Sequence, residues 1–270
     1  MNAPRGEAIE HFVAKWQRRE PEMAQAEVFC PPAQRPRYRA WGSLLHELRE
    51  AAFELSDARV AEVKSQWWAE ELLGLAEGRS RHPVTAPLAG TPADWPALVH
   101  ALVELPATLV RPGDTAAALQ RFDVLAAAIA RTEAQLFDAA PGPRDADAVA
   151  VHLLLHRLPE GRAAEDQAGL PMNLLARHGL TAAQVAAGQG EPLLRDWAGE
   201  LLAALPPASA HPGLFRRLRG GFDRARLARL AAGRGFDPPG PFATLLRAWR
   251  LARRGRDATL RPDAPTGRVT

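Results

Sequence analysis

Apolar residues recur at every third or fourth position along most of the chain, and no segment alternates apolar and polar residues with the β-branched content of a strand. A period between three and four residues is that of one face of an α-helix, whereas strands have a period of two. The 24 prolines and 21 glycines gather between the periodic segments, where they end helices. The sequence therefore predicts an all-α protein with short connections.

The predicted helices are bounded by these breaks. They run over residues 7–18, 37–55, 57–77, 92–105, 114–139, 146–158, 181–187, 191–205, 212–219, 223–232 and 241–254. No internal repeat or long linker separates them, and 47% of the residues are hydrophobic, which suffices for one large core. We predict a single helical domain over residues 1–256 and a flexible tail over residues 257–270.

The basic residues are almost all arginine, and the isoelectric point is about 9.7 although the net charge is only +3. Many of the arginines lie in two segments near the C-terminus, residues 215–235 and 245–256. Two interpretations stay open, a solvated helix face and a contact with an anionic membrane surface or nucleic acid. No specific nucleic-acid partner is predicted.

Several features of the chain bear on its compartment. Cys30 is the only cysteine, so that no intramolecular disulfide can form, which favours a reducing compartment. The N-terminus has no apolar signal segment, and no apolar run approaches the roughly 20 residues of a membrane-spanning helix. We expect a cytoplasmic protein, with peripheral membrane attachment as an open alternative. We interpret Cys30 as a plain thiol.

A mixed set of side chains lies beside the apolar stripe of the helix predicted over residues 37–55. The stripe faces the core because its members are three or four residues apart. The adjoining sector contains His46, Arg49, Glu50 and Phe53. This combination of charge, imidazole and aromatic ring predicts the wall of a cleft.

The helix predicted over residues 57–77 carries two charged side chains inside its apolar arc. Lys64 and Glu71 fall there together with Trp67. Charges on a face directed to the core are costly unless they are paired or face a polar cavity. Since residues seven apart do not meet easily on one helix, we expect Lys64 and Glu71 to find partners on other helices. The alternative is a position at the margin of the arc, with only the stem of Lys64 buried.

Two segments resemble the squalene/phytoene synthase family of head-to-head prenyl transferases. The first is the pattern KxxWWxxE at residues 64–71, followed by Gly78 and by RHPV at residues 81–84. The second, residues 170–180, contains LPM and LARHGL and resembles the segment after the second aspartate-rich motif of that family. The likeness extends loosely over residues 37–233.

The resemblance implies a single bundle of helices around a central cavity, the isoprenoid synthase fold. In this family two aspartate-rich motifs on facing helices hold Mg²⁺ ions, which neutralise the diphosphate that leaves an allylic substrate. Counting back from the first segment places the first motif at Arg49, Glu50 and Phe53. Only Glu50 is acidic, and neither an arginine nor a phenylalanine can ligate a metal ion.

The second aspartate-rich motif is also missing. Counting back from residue 170 places its aspartates at Leu158 and Arg162, and Arg157 matches a family arginine just before them. Pro159 and Gly161 interrupt the helix that the family needs there. A shifted alignment would place Glu160, Glu165 or Asp166 at the motif, but it would not restore a carboxylate pair on one helix face.

The resemblance therefore predicts a protein that keeps the fold without Mg²⁺-dependent prenyl transfer, with no catalytic residue, metal ligand or cofactor assigned. It would act as a binding scaffold or assembly factor, with a prenyl diphosphate, another apolar ligand or a protein as its partner. Divergent family members without the motifs, including a mitochondrial branch that helps assemble respiratory complex I, provide an analogy. The candidate cavity-lining residues are His46, Arg49, Glu50, Phe53, Lys64, Trp67, Glu71 and Arg157.

Two alternative functions stay open. One is an active Mg²⁺-dependent synthase that joins two prenyl diphosphates in squalene or carotenoid biosynthesis, for which carboxylates would have to converge on the cavity. The other is a peripheral contact with a membrane or nucleic acid through the C-terminal arginines.

His152 and His156 stand four residues apart, so that one helix face could present both to a metal ion. No glutamate lies between them in the HExxH sense, and the sequence shows no obvious third ligand. We therefore interpret them as two histidines at the edge of a helix.

Overall fold

The computed structural model describes residues 3–54, 57–105, 110–158 and 169–259, without the side chains of residues 3–7, 53, 54, 58 and 254–259. These ranges contain helices and no strand, which confirms the predicted all-α class. The α-helices, in chain order, are α1 (Ala3–Arg19), α2 (Pro21–Ala26), α3 (Arg35–Arg49), α4 (Ala58–Ala76), α5 (Trp95–Val103), α6 (Thr115–Gln120), α7 (Asp123–Leu136), α8 (Asp145–Arg157), α9 (Met172–His178), α10 (Ala182–Gln184), α11 (Glu191–Ala204), α12 (Leu214–Ala231) and α13 (Pro241–Thr259).

Helix α8 lies at the centre of the bundle. Every residue from 148 to 158 is buried, because α7, α11 and α12 pack around it. A helix that is apolar on all sides is expected in such a place. The partner helix α12 is also buried over most of its length, although many of its buried residues are arginines. The core of the protein therefore contains charge as well as hydrocarbon.

Helix α12 differs from the prediction of two helices at residues 212–219 and 223–232. Gly220 and Gly221, which were expected to separate them, lie inside one continuous helix. A β-carbon at Gly221 would lie 2.4 Å from Leu251 Cδ1 of α13. The glycine therefore allows α13 to pack closely against α12 and does not break the helix.

Other helix boundaries also differ from the predicted ones. The helix expected over residues 114–139 is divided into α6 and α7 by a turn that buries Phe122. Helices α2 and α9 were not predicted, and α2 begins at a proline, which suits the first helical position. A π-helical turn, Glu50–Glu54, continues α3. The tail predicted from residue 257 starts inside α13, and residues 260–270 lie outside the described part of the chain.

Within the described ranges, no helix combines the length and the apolar composition that crossing a membrane requires.

Helices α1 and α3 pack through one glycine. The Trp16 ring is fully buried and lies directly over Gly42. The indole Nε1 of Trp16 donates a hydrogen bond of 3.0 Å to Glu20, which holds the ring in place. The position therefore has no room for a side chain.

We expect Gly42→Ala to destabilise the protein by about 1–3 kcal/mol, because the added carbon would lie 2.3 Å from Trp16 Cζ2. Gly199→Ala in α11 is the matched control, since a β-carbon there meets no atom within 4 Å. Alanine should stabilise that helix by roughly 0.5–1 kcal/mol. Chemical denaturation measures both free energies of unfolding. An unchanged stability of Gly42→Ala would contradict the described packing.

Candidate ligand pocket and buried charge network

A partly enclosed pocket lies between α3, α5, α7, α8 and α12. Its empty volume is about 450 Å³, part of which is open to solvent, and the enclosed part is narrow. The apolar part of the wall consists of Leu45, Leu48, Leu102, Leu125, Ile129, Val149 and Leu153. The polar part consists of Glu20, His46, Arg49, His152, Arg216 and Arg219. The lining of the pocket is therefore amphipathic, because it combines aliphatic side chains with arginine, histidine and glutamate.

Arg216 of α12 forms a buried ion pair with Glu133 of α7. Its Nε and Nη2 donate to the two carboxylate oxygens at 2.9 and 2.7 Å. The indole Nε1 of Trp41 on α3 donates to the same carboxylate at 2.9 Å. Bidentate pairs of this kind fix geometry as well as charge. Three helices are thus joined at one buried point beside the pocket.

Arg219 forms a second bidentate pair, with Glu20 at the junction of α1 and α2. Both donor–acceptor distances are 3.0 Å. Burial by itself opposes ionisation of Glu20, but the positive charges of Arg219 and Arg49 outweigh it, and the pKa of Glu20 is lowered to about 2. Glu20 is therefore a carboxylate at neutral pH.

A third pair joins Arg226 to Glu22, with contacts of 2.7 and 2.8 Å. These pairs contradict both interpretations for three arginines of residues 215–235. Arg216, Arg219 and Arg226 are each about 2% exposed, so that they form neither a solvated face nor a surface for lipid or nucleic acid. Arg234 and the arginines of α13 at positions 247, 250 and 253 are exposed.

The interpretation of His152 and His156 as helix-edge residues is also wrong. They are 5% and 0% exposed, because α12 covers the face of α8 that carries them. Asp223 of α12 lies 2.9 Å from His152 Nδ1 and 3.5 Å from His156 Nε2. Burial holds the pKa of both imidazoles well below the usual value, so that both are neutral at pH 7. Burial and the charge of Glu20 raise the pKa of Asp223 to about 7.

Two of the predicted cavity-lining residues, His46 and Arg49, line this pocket. Arg49 Nη2 lies 3.2 Å from His46 Nδ1. Burial and the adjacent Arg49 charge lower the pKa of His46 to about 3, so that this imidazole is also neutral.

Two further candidates, Glu50 and Lys64, lie together in an ion-pair cluster. Lys64 Nζ is 3.2 Å from Glu47 and 3.3 Å from Glu50. Lys15 of α1 contacts the same two carboxylates. The expectation that Lys64 meets partners on another helix is confirmed. The side chain of Phe53 lies outside the described residues.

Glu71 does not meet another helix, contrary to our expectation. Its buried carboxylate accepts hydrogen bonds from the backbone N–H groups of Arg81 and His82, both at 3.0 Å, and from Thr85 Oγ1 at 2.5 Å. Glu71 therefore anchors the loop after α4, because backbone N–H groups of that loop donate hydrogen bonds to its carboxylate. Trp67, 38% exposed, packs against the ring of His82 at the surface.

The remaining candidate, Arg157, is buried at the end of α8, beside Gly169. At the expected position of the second aspartate-rich motif, Leu158 is a buried apolar residue. Arg162 and the alternative acids Glu160, Glu165 and Asp166 lie outside the described residues. The structure therefore brings four of the candidates together, His46, Arg49, Glu50 and Lys64, because ligand atoms of His46 and Glu50 lie within 4.8 Å of each other. It leaves Trp67, Glu71 and Arg157 elsewhere.

The charged residues of α12 were missed as pocket residues, although the sequence contains a signal for them. Arg216, Arg219, Asp223 and Arg226 are spaced by three, four and three residues, which places them on one face of the helix. From the sequence alone, these arginines were instead interpreted as a solvated helix face or as a contact with a membrane or nucleic acid. A helical period of charged residues indicates a charged buried face when carboxylates elsewhere can pair with it.

A comparison with protein-family models gave no match, and a comparison with curated protein sequences gave none either. The resemblance to squalene/phytoene synthases therefore stays a prediction.

We expect Glu133→Gln to lower the free energy of unfolding by about 3 kcal/mol or more, because it leaves the Arg216 guanidinium buried without a compensating charge. The control is Arg195→Ala, which removes the exposed 2.7 Å pair with Glu191 and should change stability by about 0.5 kcal/mol or less. Urea denaturation of the three proteins measures the difference. Equal losses in both variants would contradict the role assigned to Glu133.

Proposed function

We propose that the protein is a non-catalytic relative of squalene/phytoene synthases that binds an amphiphilic ligand with an apolar chain and an anionic head, such as a prenyl diphosphate. The amphipathic wall of the pocket carries this proposal. Seven aliphatic side chains suit the chain of the ligand, and three arginines against one carboxylate suit its head.

The charges of the pocket favour direct binding of the head by arginine over Mg²⁺-dependent transfer. A Mg²⁺ site for a diphosphate needs carboxylates that face the cavity. Among the described lining residues the one carboxylate is Glu20, and the lining also carries three arginines. The acid at the first motif position, Glu50, is paired with Lys15 and Lys64.

Ligand binding requires the narrow, enclosed part of the pocket to widen. The aliphatic lining residues can change rotamer without losing a polar contact. The arginines are held more firmly, since bidentate pairs fix Arg216 and Arg219. The aliphatic side chains are therefore the part of the lining that would adapt to the ligand.

We expect calorimetric titration with farnesyl or geranylgeranyl diphosphate in EDTA to show saturable binding. Ile129→Trp should weaken ligand binding about tenfold or more, because the indole would fill space beside the aliphatic lining residues. Val124→Trp is the matched control, since this position lies on the same helix and is 61% exposed. Absence of binding, or equal affinity in both variants, would contradict the proposal. Release of diphosphate with Mg²⁺ above a heat-killed control would contradict its non-catalytic part.

A second candidate function, peripheral membrane attachment, is favoured by the exposed face of α13. Phe242, Leu245, Leu246 and Trp249 are 81%, 39%, 38% and 43% exposed, and their spacing places them on one side of the helix. Exposed arginines flank this stripe at positions 247, 250 and 253. An amphipathic helix with aromatic and aliphatic residues on one face and arginines beside it suits the interface of an anionic membrane.

We expect the protein to sediment with phosphatidylserine vesicles, and moderate salt to weaken this binding. The double variant Phe242→Ser with Trp249→Ser should lower vesicle affinity about tenfold or more, because it removes two large side chains from the apolar face. Val103→Ser, at a position that is 66% exposed in α5, is the control. Vesicle affinity that is unchanged in the double variant would exclude this function for α13.

A further inference from the structure

We propose that Glu20, His152 and His156 form a binding site for a divalent transition-metal ion at the polar end of the pocket. This inference goes beyond the proposed function and does not depend on it. One ligand atom from each of the three residues lies within 4.8 Å of the others. All three side chains are at most 5% exposed, so that the site is an interior one.

The fold presents these ligands from two directions. His152 and His156 lie on successive turns of α8 and on the same face, with their ring centroids 4.3 Å apart. Glu20 approaches from the junction of α1 and α2, and its Oε1 lies 4.0 Å from His152 Nε2. Zinc binds histidine nitrogen at about 2.0–2.1 Å, so that its ligand atoms stand roughly 3.4 Å apart. Small side-chain rotations close the remaining gap.

Groups outside the three ligands hold them in the orientation that metal binding needs. Asp223 lies 2.9 Å from His152 Nδ1 and accepts a hydrogen bond from it, which leaves the Nε2 lone pair directed toward Glu20. Carboxylate, histidine and metal are commonly arranged in this order. Trp16 and Arg219 both donate to Glu20 Oε1, the oxygen that lies 4.0 Å from His152 Nε2, so that a bound ion would replace one of these donors. The three ligands are thus positioned in advance of any ion.

His156 provides an independent indication of a missing ligand. It is fully buried, and within the described part of the chain neither of its ring nitrogens makes a hydrogen bond. Leaving such a buried polar group without a hydrogen bond is unfavourable. A metal ion bound to His156, His152 and Glu20 would satisfy this imidazole.

The chemistry of the ligands selects the kind of metal. Two neutral imidazoles and one carboxylate suit zinc or another first-row transition ion, whereas Mg²⁺ and Ca²⁺ prefer oxygen ligands. Since Glu20 and His152 line the pocket, the open coordination position of the ion would face the ligand space.

A second cluster, His46 with Glu47 and Glu50, has a similar composition but a different charge environment. Lys15 and Lys64 already contact both of its carboxylates. This cluster offers one imidazole, against two at the proposed site, so that it is the weaker match for a transition-metal ion.

The test is a metal titration of the full chain after treatment with EDTA. Dialysis against Zn²⁺ followed by elemental analysis should give about one ion per chain. His156→Gln should abolish the retention of zinc, whereas His211→Gln should not. His211 is a buried histidine whose carboxylate neighbour among the described residues is Asp145, at 2.5 Å. Circular dichroism verifies that both variants fold. No retained zinc in the wild-type protein, or equal retention in folded His156→Gln, would overturn the proposal.

X-ray absorption of the zinc-loaded wild-type protein provides a measurement that no variant can confound by misfolding. We expect two imidazole ligands and one or two oxygen ligands around the ion. Fewer than two imidazoles would overturn the assignment to His152 and His156. Farnesyl diphosphate binding is measured separately in EDTA, so that failure of the metal site and failure of the proposed ligand function are distinguishable.

Discussion

The pairing of arginine on α12 with carboxylates on other helices is the interaction on which the rest of the structure depends. A guanidinium that loses its water is tolerated inside a protein only if a carboxylate meets it with good geometry. Arg216, Arg219 and Arg226 each meet one, on α7, before α2 and in α2. The position of the N-terminal helices relative to α12 is therefore dictated by charge as well as by packing.

These pairs also determine the character of the pocket. Because Glu133 and Glu20 hold Arg216 and Arg219 in place, the polar part of the wall is fixed in position. Replacing such pairs by apolar residues often leaves a protein equally stable, so that stability alone does not explain them. The proposed binding of an anion or a metal ion would account for them, since hydrocarbon could supply neither.

The helices were predictable from the sequence because their period is local, whereas the pairing was not. The 3.6-residue repeat is present within each segment, and α4, α8 and α11 lie close to where it predicts them. The pairs Arg219–Glu20 and Arg226–Glu22 join residues 199 and 204 positions apart. No local pattern specifies such a partner. Gly220 and Gly221 were misinterpreted for the same reason, since the helix that packs against Gly221 lies thirty residues further along the chain.

In the candidate site, too, features set by one helix were predictable from the sequence and contacts between distant segments were not. His46 and Arg49 could be placed at a cavity wall because they flank an apolar stripe on their own helix. Glu71 could not be assigned to a loop, because its partners are backbone N–H groups that carry no sequence signature. His152 and His156 have the spacing of metal ligands, but Glu20 and Asp223, which give that spacing its meaning, come from distant segments.

The arrangement of charge in the pocket reverses that expected of a Mg²⁺-dependent prenyl transferase. In such an enzyme the protein supplies carboxylates, and the metal ions they hold stabilise the charge that develops on the departing diphosphate. Here the protein supplies guanidinium groups, and the carboxylates Glu133 and Glu20 already offset the charge of Arg216 and Arg219. Under the proposed function, these guanidinium groups would hold the anionic head directly, in place of metal ions.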